Sequence, residues 1–542
     1  MPAPAAAAPA RVSPTSPPSS AASGFLRLLG FGLAGVAQAL SIAWPGDGRP
    51  LWWLQLLSLA GLVWLLDGLR AQGAGWRRAG LHGWVFATAW LTGSFWWLFI
   101  SMHTYGGLPA PLAVIAVLAL AAALGLYYAV ACAWFVVRGP AGRIAGAFVF
   151  AALWTLAELV RGSWFTGFPW GAGGYAHVDG PLAALAPWVG VYGIGAAAAL
   201  AVALVARRLP LRGVVPTALA AMLLAAVFVL PNVVSPLPAD ARGAQGTAGT
   251  LQVALLQGNI PQDEKFIPGG GIETALRWYA EQLRDAKAQL VVTPETALPL
   301  LPRQLPAGYL DSIQERYGQP GSQQAAIVGL PLGDGPGTYR NAVLGFMPGG
   351  AAQPYAYSKH HLVPFGEFIP PGFRWFIRMM SIPLGDFERG GLAQAPFVWQ
   401  GQRIAPNICY EDLFGDEIGA NFRDEATAPT VLLNVSNIAW FGDSVAIDQH
   451  LAISRMRALE FARPMVRSTN TGATVVIDAA GRVTHQLPRL TRGVLEAPVE
   501  GRRGLTPFAR WVAPFDLWPL WIAALAIVAL GAVFFRPGRT RG

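Results

Sequence analysis

Leu251-Gln252-Val253-Ala254-Leu255-Leu256, running on into Gln257-Gly258-Asn259, is where the character of this chain changes. A short apolar run ended by Gly-Asn reads as a buried β-strand and its turn. Before it, from residue 24, the sequence is almost entirely Leu, Ala, Val, Trp and Gly. After it, to about residue 505, the composition is that of a soluble domain. The whole chain of 542 residues is 54% hydrophobic and 13% charged, with mean hydropathy +0.41. A soluble domain carries about a quarter charged residues, so much of this chain must meet lipid. The net charge of +9 does not point to nucleic acid. The arginines form no interleaved basic and aromatic surface; they cluster between hydrophobic spans.

A membrane helix needs roughly 20 apolar residues. The sequence predicts spans near 25–44, 51–67, 82–101, 111–137, 144–160, 181–206 and 213–231, and an eighth near 514–535. Arginine content sets their orientation. Arg70, Arg77 and Arg78 follow span two, Arg138 and Arg143 span four, and Arg207, Arg208 and Arg212 span six. The loops after spans one, three and five hold only Arg49, none, and Arg161. The even-numbered loops are therefore expected in the cytoplasm, with both termini. Seven crossings then put residues 250–505 on the far side, and the eighth returns Arg536, Arg539 and Arg541. The Ala-, Pro- and Ser-rich residues 1–23 read as a disordered tail. The expected organisation is tail 1–23, membrane domain 24–232, catalytic domain 250–505, last helix 511–535 and cytoplasmic tail 536–542. Asp67 with Arg70, and Glu158 with Arg161, have the i,i+3 spacing of ion pairs on a helix surface near the interface; Glu158, an acid within a span, also reads as a functional group.

Beyond residue 250 strands and helices alternate. Strands are expected at 290–292, 325–330, 340–346, 403–409, 430–435 and 472–478, with helices near 272–287 and 445–461. That order argues for a layered α/β domain, in which chemistry collects where strands end. Three reactive residues sit there. Glu295 lies in Val292-Thr293-Pro294-Glu295, which taken alone also reads as a loop acid or helix cap. Lys359 lies in Tyr357-Ser358-Lys359-His360-His361, where adjacent histidines diverge and no Cys or Asp at ligand spacing completes a metal site. Cys409 lies in Asn407-Ile408-Cys409-Tyr410-Glu411-Asp412. The other cysteine, Cys132, falls in an apolar span, leaving Cys409 no disulfide partner and an oxidation liability outside the cytoplasm; taken alone, Cys409 also reads as a small buried hydrophobe. A carboxylate base, an ammonium to hold an oxyanion and a thiol nucleophile make a complete set for acyl chemistry.

In this order and context, Glu295, Lys359 and Cys409 resemble the Glu-Lys-Cys triad of the nitrilase, or carbon–nitrogen hydrolase, superfamily. Further stretches narrow the resemblance to the apolipoprotein N-acyltransferase family: Gln257-Gly258-Asn259-Ile260-Pro261-Gln262, the run from Tyr357 to Glu367, Asn437 to Ser444, His450 to Glu460, and Gly167-Phe168-Pro169-Trp170. The resemblance implies an αββα sandwich beside about eight spans, in a bacterial inner membrane with the catalytic domain periplasmic. It implies a fatty acyl chain taken from a phospholipid, typically phosphatidylethanolamine, held as a Cys409 thioester, and passed to the α-amine of a diacylglyceryl apolipoprotein. No cofactor is implied, and a monomer needs the fewest assumptions. Supporting roles fall to Glu367, Tyr410 and Glu411, with the Tyr410 amide an oxyanion donor; Glu367 reads equally as an ion-pair partner of Lys359. The chain departs from the family pattern at Thr293, at Ile438 and at Phe266, which stands for a tryptophan.

The stretch from Phe368 to Met380 is too apolar for an exposed loop and too short to span. It is expected to form a membrane-dipping lid in which Phe373, Trp375 and Phe376, with Phe266, Trp440 and Phe441, meet acyl chains, while Arg374 and Arg378 sit near phosphates. The alternative is packing on the domain's own core. Two other functions remain at this point: a membrane-tethered amidase acting on a small amide, and a catalytically silent scaffold.

Overall fold

The computed structural model describes residues 20–207, 246–335, 338–349, 354–377, 379 and 387–534. The expected span 213–231, Arg208 and Arg212, residues 1–19 of the tail, Arg378 and Met380 of the lid, and the arginines of the last seven residues lie outside them. Residues 20–23, expected in the tail, already belong to the first helix, Ser20–Ile42.

Five helices among the described residues are long and apolar enough to cross a membrane, or seven if each of two bent pairs counts as one span. The expected straight span 82–101 is one of those pairs. Helix Trp76–Phe95 turns by 62° into Leu98–Tyr105. Trp97 lies at the break: it is buried, and its indole N–H is shared between the Ser94 carbonyl at 3.0 Å and Gln449 Oε1 at 3.1 Å. The bond to Gln449 ties this break to the α/β part. The last expected span is likewise preceded by a separate helix, Pro507–Phe515, at 88° to Trp518–Val533. Phe508 of that first helix lies 5.5 Å from Phe461 in the α/β part.

Both proposed surface ion pairs are corrected. Asp67 pairs with Arg207 at 3.3 Å, while Arg70 donates to the Pro140 carbonyl at 2.9 Å. Glu158 and Arg161 do approach to 3.6 Å, but in the interior. Tyr128 donates to Glu158 at 2.8 Å, and Arg161 donates to the carbonyls of Phe168 and Trp170 at 2.7 and 2.8 Å. A buried guanidinium needs this many acceptors; here it fixes the loop that carries Gly167-Phe168-Pro169-Trp170.

Two six-stranded sheets form the second part. The first contains β1 (Thr247–Gln257), β2 (Leu290–Val292), β3 (Ala325–Leu332), β4 (Arg340–Phe346), β5 (Tyr355–Ser358) and β12 (Gly493–Arg502), in the order β12-β1-β2-β3-β4-β5. The second contains β6 (Phe397–Trp399), β7 (Gln402–Ile408), β8 (Val431–Ser436), β9 (Met465–Thr469), β10 (Val475–Ile477) and β11 (Val483–Gln486), in the order β11-β10-β9-β8-β7-β6. Along β1, Leu251, Val253 and Leu255 point between the sheets onto Ile404, Leu433 and Val466, while Ala254 and Leu256 point outward onto the helix Gly271–Asp285. That period of two is what a strand buried on both faces requires. The outer face of the second sheet packs on helix Ala446–Phe461, which lies against the membrane helices in one continuous apolar cluster.

Candidate active site

The parallel strands β2 and β7 and the antiparallel β5 end on the same side, and each delivers one of the three reactive residues. Glu295 follows β2 through Thr293-Pro294, a turn packed so tightly on β3 that a Cβ on Gly329 would stand 2.2 Å from the Pro294 carbonyl oxygen. Its Oε1 accepts from Asn341 Nδ2 at 2.7 Å and lies 3.5 Å from Lys359 Nζ; its Oε2 accepts the Asn437 amide at 2.7 Å. Lys359, 1% exposed, follows β5 and donates to Glu367 Oε1 at 2.9 Å. Glu367 also accepts from Asn341 Nδ2 at 2.7 Å and from the Val363 amide at 2.9 Å. Lys359 and Asn341 are thus shared between two carboxylates. Burial would depress the Lys359 ammonium, but Glu367 and then Glu295 more than reverse this and hold it well above the ordinary lysine range.

Cys409 ends β7 on a sharp turn with φ +55°, a conformation costly for a residue with a Cβ. Its side chain is half-buried. Burial first, and the Glu295 charge second, push the thiol up to about 12, with Lys359 opposing them. A thiol raised in this way needs a base to take its proton before the sulfur can act as a nucleophile. Glu411 joins the lysine loop to the cysteine turn. Its two oxygens accept the amides of His360 at 2.6 Å, His361 at 3.1 Å and Ile408 at 2.6 Å, and the Tyr357 hydroxyl at 2.9 Å. Desolvation pushes its carboxyl up to about 7 against those donors. Tyr410 is buried, donates to the Gly167 carbonyl at 3.1 Å and stacks near Phe168. The cysteine turn thus rests on the membrane helices.

The aromatic residues separate into two groups. Phe373 and Trp375 are exposed, and Phe373 meets Phe365 edge-on at 5.3 Å. Phe376 packs with Phe99, Met102 and Leu108 of the membrane part rather than on the core of the sandwich. Trp440 lies 5.9 Å from Tyr105 and Phe441 4.3 Å from Trp97, so both also face the membrane helices. Phe266 is 40% exposed beside the site. Thr293 replaces any indole with a hydroxyl that accepts the Gly329 amide at 2.9 Å, and Ile438 is buried.

Sequence reasoning missed three members of this constellation. Asn341, the bridge between the two carboxylates, had one signal: an amide side chain at an inward position of the apolar strand β4. Lys265 is buried with its Nζ 3.3 Å from the Glu295 carbonyl oxygen, and burial, against the charges of Glu295 and Cys409, lowers it to about 8. The Asn437 contribution is a backbone N–H, which no side-chain reading can find.

Residues 34–204 match the family model described as the apolipoprotein N-acyltransferase N-terminal domain, and residues 252–506 match carbon-nitrogen hydrolase. A protein named apolipoprotein N-acyltransferase from Verminephrobacter eiseniae is 57% identical over 90% of this chain and 92% of its own length. One of the same name from Ralstonia nicotianae is 47% identical over 85% and 86%. The crystal structure of a carbon-nitrogen hydrolase from Helicobacter pylori G27 is similar at a TM-score of 0.33 and 16% identity, covering 50% of this chain and 94% of that one. With identity at this level sustained along nine-tenths of the sequence, the chain belongs to the apolipoprotein N-acyltransferase family.

Proposed function

We propose that this membrane protein carries a fatty acyl chain from a phospholipid to the N-terminal α-amine of a diacylglyceryl lipoprotein, through a thioester on Cys409. The observation that carries the reading is Lys359, an ammonium buried between Glu295 and Glu367 at 3.5 and 2.9 Å whose charge bears on the Cys409 thiol. Glu295 takes the thiol proton as sulfur attacks the ester carbonyl carbon. The oxyanion forms against Lys359 Nζ and the Tyr410 N–H. The carbonyl re-forms, the lysophospholipid alkoxide leaves, and Glu295 returns the proton to it. In the second half, the lipoprotein amine attacks the thioester, Glu295 accepts a proton from nitrogen, and the thiolate departs to recover it. One covalent intermediate joins two half-reactions, so the kinetics are ping-pong.

Phosphatidylethanolamine is the donor, the protein works as a monomer, and the α/β part faces the periplasm with both termini cytoplasmic. The arginine distribution supports that topology. Apolar contacts from Phe376, Trp440 and Phe441 to the membrane helices support a lipid donor over a small polar amide. The test is intact mass after incubation with phosphatidylethanolamine vesicles, beside Cys409→Ala. A hydroxylamine-labile acyl adduct on the wild type alone is expected. No adduct from any phospholipid, with Cys409 still readily alkylated, would return the chain to the tethered amidase.

A further inference from the structure

Glu411 closes the left-handed turn at Cys409 from within by accepting the Ile408 amide, and two side chains from outside the turn grip the Cys409 carbonyl. The Cys409 carbonyl oxygen accepts from Asn434 Nδ2 at 3.2 Å and faces His450 Nε2 at 3.1 Å. A carbonyl oxygen can only accept, so Nε2 carries a proton. On the other side of the ring, Arg467 Nη2 lies 3.2 Å from Nδ1. A guanidinium can only donate, so Nδ1 has none. The two contacts agree on a single neutral tautomer. Burial first, and Arg467 second, hold His450 well below the ordinary imidazole range, consistent with that neutral ring. Arg467 is itself fixed by Asp412 at 3.0 Å and by Ser454, which also donates to Asp412. His450, Arg467 and Asp412 are fully buried.

In a planar trans peptide the C=O and the following N–H point in opposite directions. Gripping the Cys409 carbonyl therefore aims the Tyr410 N–H the other way. We propose that His450, set by Arg467 and Asp412 and joined by Asn434, is a positioning residue that aligns the Tyr410 amide with the oxyanion of the acyl-transfer step. The proposal rests on Cys409 being the nucleophile. It adds to that reading a device outside the Glu-Lys-Cys set, reached from the membrane side as well. Gln449, the neighbour of His450, accepts from the indoles of Trp97 and Trp170 at 3.1 and 2.7 Å and donates to the Ser94 carbonyl at 3.0 Å.

Alkylation by iodoacetamide consumes the same thiol without forming an oxyanion, so the two reactions separate positioning from reactivity. Full-length protein with phosphatidylethanolamine vesicles gives the acylation rate by intact mass in a single turnover; peptide mapping gives the alkylation rate of Cys409. Loss of an oxyanion donor costs about 10²–10³ in rate, and its misalignment in His450→Phe should slow acylation by about 10–100-fold. Alkylation and the KM for lipid should stay within about threefold, since neither forms an oxyanion. His450→Gln, whose amide N–H can reach the same carbonyl, should recover most of the loss. An unchanged acylation rate, or equal slowing of both reactions, overturns the proposal. If His450→Phe shows no cooperative melting, Asn434→Ser is read by the same two rates, and failure of both to fold makes the cluster structural and overturns it too. A wild type that is alkylated but never acylated sinks the nucleophile reading instead.

Discussion

The loops after β1 and β5 each bring a buried lysine to Glu295, and the two lysines are held in opposite ways. Lys359 meets carboxylates at 2.9 and 3.5 Å and is raised. Lys265 meets a peptide carbonyl at 3.3 Å and is lowered to about 8. Both are equally withdrawn from water. What separates them is the partner: burial penalises the charge on each, and only a directly bonded carboxylate outweighs that penalty. Lys359 therefore holds its proton past the ordinary lysine range, while Lys265, which donates to the Glu295 carbonyl, gives its proton up more readily.

The comparison breaks most sharply at Lys359. Lys359→Met keeps the stem and removes the charge, and acyl-enzyme formation should fall by roughly 10³-fold. Single-turnover intact mass would measure it, and a fall under tenfold would mean the ammonium is not the oxyanion partner. Glu367→Gln makes Lys359 more like Lys265 by taking away its strongest support. Acylation should fall by about 10²-fold, and its alkaline limb should move to lower pH, because a cause that raises the ammonium has been lost. A pH–rate profile with an unmoved limb would assign the charge to Glu295 alone. On the segment that continues from the lysine loop, Trp375→Ser with Phe376→Ser should raise the apparent KM for vesicle lipid about tenfold and leave the melting temperature intact; an unchanged KM would end the lid reading.

The smallest effect is expected at Lys265. Its folded value, about 8, lies below the 10.5 of an ordinary lysine, so between those limits the unfolded chain binds more protons. Stability should therefore rise as pH climbs from about 8 to 10.5, by up to ~3 kcal/mol. Lys265→Met should flatten that rise in a series of melting curves while changing the acylation rate by no more than about threefold. A slope that survives the substitution would show that Lys265 is not the group that titrates.

How much of this could be read from sequence depends on whether a group acts through its own side chain. Strands β2, β4 and β7 were legible because apolar runs of that length end in Pro, Gly or polar turns. The long β12 was not expected. Its inward residues Ala497 and Val499 alternate with Glu496, Pro498 and Glu500, and a proline argues against a strand unless it lies on an edge, which is where β12 sits. Glu295, Lys359 and Cys409 stood out as reactive groups at strand ends, and the fold gathers them. Asn341, His450 and Arg467 did not, because their role lies in contacts between segments distant in sequence. For the same reason Glu158 and Arg161, a routine i,i+3 pair on paper, turn out to be the buried support of the Phe168 loop.

The two sheets differ in what covers them. The first carries its own helices on its outer face. The second leans on helix Ala446–Phe461, whose other side is closed by membrane helices in the same apolar cluster. Cut from its spans, the α/β part would carry a raw hydrophobic flank and a loosened Gln449–His450 corner, so it would aggregate and lose its turn geometry even with every reactive group present. In this protein the bilayer segment is not a tether for an enzyme that could work free in solution; it is the missing outer layer of that enzyme.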